Sequence, residues 1–68
     1  MTKQEMHNKI VEAIRNCENM TTEELKAVYD EAIEFKKTLP AKEGERFGME
    51  SGLEMLAMIV LSMEYSNH

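Results

Sequence analysis

Between Leu53 and Met63 only Glu54 and Ser62 are polar, and neither glycine nor proline interrupts the run. With its flanks from Gly48 to Tyr65, GMESGLEMLAMIVLSMEY, this is the most apolar part of the chain, and the rest must be organised around it. Propensity and length favour a helix of about four turns over a strand. At about 100° per residue, Met49, Leu53, Leu56, Ile59, Val60 and Met63 share one arc, with Met55 at its edge, and this arc is the expected core face. Ala57, Met58, Leu61 and Tyr65 fall outside it. A helix that is apolar on more than one face needs cover on more than one side.

Three kinds of cover compete. A bilayer is the poorest candidate, because the run of about eleven residues falls well short of the roughly 20 needed to span one. Two flanking helices of the same chain could enclose everything. A second protein surface is the favoured reading, because chains of this size draw little stability from one core and often need a disulfide, a metal or oligomerisation. With Cys17 as the single cysteine, no intrachain disulfide can form.

The totals bound the rest. The 68 residues make one helical domain, residues 1–68, and an apolar content of 43% is enough for a folded core. A net charge of −5 opposes unaided binding to nucleic acid or an anionic membrane and suits a basic partner or simple solubility. Polar residues Lys3, Gln4, Glu5, His7, Asn8 and Lys9 break up the start of the chain, so no signal peptide is expected. One cysteine among seven methionines points to a reducing, cytoplasmic setting.

Two helices are expected ahead of the apolar stretch. Thr2 and Glu5 form a capping-box pair, and Met6, Ile10, Ala13, Ile14 and Cys17 follow at helical spacing, predicting a first helix over 2–18. Thr21 and Glu24 repeat the box, with Met20 and Leu25 placed as a hydrophobic staple. Leu25, Val28, Ala32, Phe35 and Leu39 then alternate by three and four, widened by Tyr29 and Ile33, so a second helix is expected over 21–39. Pro40 ends it. Residues 40–48, PAKEGERFG, are expected to form a loop. A third helix could start early with Pro40 in its first turn, or late with Ser51 as N-cap and Glu54 closing a box; its start is placed between Gly48 and Gly52. The expected fold is all-α, a small three-helix bundle with helices near 2–18, 21–39 and 49–65, the last central and the whole dimeric.

The chain offers little material for catalysis. His7 has no cysteine, histidine or carboxylate three or four residues on, and reads as a solvated side chain. Glu64 and His68 could share a metal only weakly. Cys17, on an apolar face beside Glu18, reads as an inert thiol. The pairs Glu23–Glu24 and Asp30–Glu31 point to different helix faces. Gly44, Gly48 and Gly52 match no phosphate-cradling spacing; Gly48 and Gly52 make a weak small-x-x-x-small pair, with Gly48 explained by a turn or cap. No catalytic residue, cofactor or metal ligand is assigned.

Recognition is the better lead. Met49, Met55, Met58 and Met63 could fill a core, or they could line an adaptable groove of flexible thioethers. The candidate partner-binding residues are the second apolar seam, Met58, Leu61 and Tyr65, and an acidic face carrying Glu23, Glu24, Asp30, Glu31 and Glu34 that could engage a basic protein. The chain is therefore expected to be a non-enzymatic protein–protein interaction module, a homodimeric acidic regulator or inhibitor of the antitoxin-like or phage-type modulator kind. The alternative is a nucleic-acid-associated regulator whose dimer gathers Lys36, Lys37, Lys42 and Arg46 into a basic patch, although Glu34, Glu43 and Glu45 dilute that patch and no aromatics interleave with it.

Overall fold

Two capping boxes set the first half of the molecule. In the computed structural model, which describes residues 1–66, Thr2 N–H donates to Glu5 Oε1 at 2.8 Å while Glu5 N–H donates to Thr2 Oγ1 at 3.1 Å. The same exchange links Thr21 and Glu24, at 3.0 and 3.1 Å. Each box satisfies backbone donors that a helix start leaves open. Helix α1 accordingly runs Lys3–Arg15 and α2 runs Thr22–Lys37. The first helix is shorter than expected. Asn16 caps it, its side-chain amide donating to Glu12 O at 3.0 Å, and a 3₁₀ turn over Cys17–Asn19 follows.

The second half departs from the expectation. Residues 40–48 are not a loop: Pro40 sits at the N-cap of a helix, α3, over Ala41–Glu50, and the described residues form four α-helices where three were expected. The fourth, α4, runs Leu53–Ser66. Gly44 and Gly48 suggested a loop because glycine is costly inside a helix, but here both are buried where α3 crosses α2. A Cβ on Gly44 would lie 3.3 Å from Lys36 O, and one on Gly48 would lie 3.4 Å from Lys36 Nζ. Gly48 is thus a packing residue and not a turn or cap. Gly44 and Gly48 share a face of α3, whereas Gly52 lies at the corner beyond it, so the weak Gly48–Gly52 pair does not sit on one helix.

Gly52 makes the corner between α3 and α4, with φ of 82°, a region that favours glycine. Ser51 caps the end of α3, its N–H donating to Phe47 O at 3.0 Å, and α4 starts from Gly52, whose carbonyl accepts from Leu56 N–H at 3.0 Å. Of the two starts considered, Pro40 opens α3 and the Ser51–Glu54 box does not form, the Ser51 hydroxyl being buried without a hydrogen-bond partner among the described residues.

The core joins all four helices. Met6, Ile10 and Ala13 of α1, Leu25 and Ala32 of α2, Phe47 of α3, and Leu53, Leu56 and Val60 of α4 are buried together. Phe47 meets Phe35 edge to face with ring centroids 5.3 Å apart, an arrangement that aromatic pairs prefer. Lys9 Nζ reaches both Glu31 carboxylate oxygens, at 2.6 and 2.9 Å, and so ties α1 to α2 at the surface. Met49 is a correction. It was expected on the core arc, yet it is 74% exposed, because the turn at Gly52 resets the helical phase between it and Leu53.

Candidate interaction surface

α4 packs against each of the other three helices, and its buried line is Leu53, Leu56 and Val60. Among the described residues, the opposite side of α4 is left largely uncovered. Met58 is 70% exposed, Leu61 65% and Tyr65 85%, so α1 and α2 do not enclose the second seam. Large apolar side chains exposed singly are ordinary, but three at helical spacing on one short helix make a continuous stripe.

Beside this stripe lies an open groove of about 820 Å³. One wall is α4, through Met55, Met58, Ile59 and Met63; the facing side is Met49 of α3, Gly52 at the corner, and Cys17 of the 3₁₀ turn. All four methionines singled out in the sequence therefore meet at one place. They do not serve as core alone: Met63 packs against the core, whereas Met49, Met55 and Met58 stand exposed. The polar groups on the lining are Glu18, Glu54 and Ser62. Sequence reasoning missed the part played here by Cys17, Glu18 and Ile59. Cys17 was placed on α1, but the 3₁₀ turn carries it to the groove, half-buried.

The acidic residues on α2 behave in two ways. Glu23, Asp30 and Glu34, at steps of seven and four, run along one exposed line. Glu34 lies 3.4 Å from Lys37 Nζ. Glu24 and Glu31 are turned aside, the first onto the Thr21 backbone and the second onto Lys9. The Thr21 N–H bond is the main reason that the Glu24 carboxyl is held below the usual glutamate range, helped by the Thr21 side chain. Thr2 does the same for Glu5.

The basic residues do not form one patch. Lys36 lies across Gly44 and Gly48, Lys37 faces Glu34, and only Lys42 and Arg46 stand exposed one turn apart on α3. His7 borders a small mixed-charge hollow with Lys3, Glu43 and Arg46. Among the described residues, no group of three or more histidine, cysteine or acidic side chains is arranged to hold a metal. Fraying was expected over Ser66, Asn67 and His68; Ser66 instead closes α4, its hydroxyl donating to Ser62 O at 2.9 Å, while Asn67 and His68, and with His68 the Glu64–His68 pair, lie outside the described residues. No described helix is long and apolar enough to cross a membrane. No protein-family model matches the chain, and comparison with curated proteins and with solved structures finds no match.

Proposed function

We propose that this chain is a non-enzymatic protein–protein interaction module, a small acidic regulator or inhibitor that acts in the cytoplasm by occupying a surface on another protein. It works as a homodimer, and the seam Met58, Leu61 and Tyr65 is the contact between copies. The observation that carries the reading is the exposed apolar stripe on α4, a helix whose other side already forms the core. Burying such a stripe removes apolar area from water, and each large side chain contributes about 1.5–3 kcal/mol when fully covered. Glu23, Asp30 and Glu34 stay exposed on α2 where a basic partner would meet them, Glu34 exchanging its contact with Lys37 for one with the partner.

Light scattering coupled to size-exclusion chromatography tests the dimer. The wild type should run at about twice the chain mass of 7.9 kDa, and Leu61→Glu should reduce it to the single chain. A wild-type mass of one chain at about 100 µM, where contacts of ordinary affinity are occupied, would remove the dimer from the proposal.

A further inference from the structure

We propose that the methionine-walled groove beside α4 is the docking site for an amphipathic α-helix of a partner protein with cationic residues flanking its apolar stripe. The inference rests on reading the chain as a protein-binding module. It uses a different flank of α4 from the dimer seam, Met58 bordering both.

The walls set the first requirement. Met49, Met55, Met58 and Met63 are unbranched thioethers that can repack around dissimilar apolar side chains, and Ile59 and Cys17 complete an apolar floor. From Met55 to Met63 the groove follows about two turns of α4, roughly 12 Å. That length matches anchors at i, i+4 and i+7 of a docked helix. An extended peptide has no strand edge to join among the described residues.

Charge sets the second. The two ionised groups on the lining are Glu18 and Glu54; no cation lines the groove with them, and neither is ion-paired among the described residues, Glu54 also bordering a separate hollow that Lys36 lines. The chain as a whole carries −5. An occupant with lysine or arginine beside its apolar stripe would meet both carboxylates, while an anionic one would be repelled.

The same charges argue against a second copy of this chain in the groove. A copy brings its own −5, and Lys3, Lys9, Lys26 and Lys37 already face its own Glu43, Glu31, Glu64 and Glu34. Lys36 is folded over the α3 glycines. Arg15, Lys42 and Arg46 are left exposed, so the mass measurement below, and not charge alone, decides whether a second copy fills the groove.

The chain has no tryptophan, so a single indole placed in a peptide reports on that peptide alone. The probes are two synthetic helical peptides of roughly five turns with the same leucine and tryptophan stripe, one flanked by lysines and the other by glutamates. Titrated with the full-length protein, the lysine-flanked peptide should shift its emission to the blue and saturate in the micromolar range. The glutamate-flanked peptide should bind at least about tenfold more weakly, and added salt should narrow the difference. Met49→Gln and Met55→Gln, neutral changes at exposed positions that do not threaten the core, should each weaken the lysine-flanked peptide about tenfold. Glu18→Gln with Glu54→Gln should erase the preference between peptides.

The proposal is overturned if neither peptide binds at about 100 µM, or if both bind equally. It is also overturned if Met55→Glu halves the wild-type mass, since a second copy would then fill the groove. A wild type that runs as a single chain yet prefers the lysine-flanked peptide removes the dimer and keeps this site. A Leu61-dependent dimer that binds neither peptide does the reverse.

Discussion

Gly52 turns the chain between α3 and α4 with φ of 82°, a conformation that costs an L-residue about 1–2 kcal/mol. An added Cβ would also lie 3.3 Å from Ile14 Cδ1. Its neighbour Ser51 has the opposite problem, a buried hydroxyl with no partner, and a buried polar group left unpaired costs about 1–3 kcal/mol. The two positions should therefore respond oppositely to alanine. Gly52→Ala should lower the melting temperature, by roughly 4–8 °C for each kcal/mol lost in a domain of this size. Ser51→Ala should raise it, by about 1 kcal/mol in stability. A melt of Ser51→Ala below wild type would contradict the orphaned hydroxyl. Ser51 also shows a limit of reading from residues: the box motif with Glu54 was present in the sequence, but Phe47 and Gly52 decide which helix Ser51 ends or begins.

At the scale of elements, α1 and α2 were legible because their signals are local. A capping box spans four residues, and both boxes form where the spacing placed them. α3 was not legible, since Gly44 and Gly48 count against a helix until α2 is known to lie across them. Tertiary packing overrode propensity there. The caps make a pH prediction. Glu5 and Glu24 carry folded-state pKa values below the ordinary glutamate value, chiefly through the Thr2 and Thr21 backbone N–H bonds, so their contribution is fully present above the unfolded value. It is lost as the pH falls through the lowered folded values. Urea midpoints measured from neutral pH downward should therefore fall on entering the acid range, and the fall should be shallower in a Glu5→Gln, Glu24→Gln variant. Thr21→Ala, which removes the N-cap hydroxyl, should cost about 1 kcal/mol at neutral pH. Equal acid limbs for wild type and the double glutamine variant would rule out the caps as their source.

For the molecule as a whole, the sequence held the uncovered side of α4 but not the groove. Met58, Leu61 and Tyr65 could be set apart by angle alone, because they share a helix with the residues they oppose. The groove needs Met49 and Cys17 from other elements, and their arrival depends on the Gly52 corner and the 3₁₀ turn. If the seam is covered by a second copy, stability becomes a property of concentration: a dimer is held against two unfolded chains, and each tenfold rise in concentration adds about 1.4 kcal/mol per dimer. The wild-type melting temperature should then climb steadily from about 5 µM to about 500 µM, a range that brackets ordinary contact affinities. Leu61→Glu places a charge in the seam at a position 65% exposed in the single chain, so it should spare the core and leave a melting temperature that ignores concentration. Two flat lines would mean that copies do not meet across α4, and two parallel climbs would mean that they meet somewhere other than Leu61.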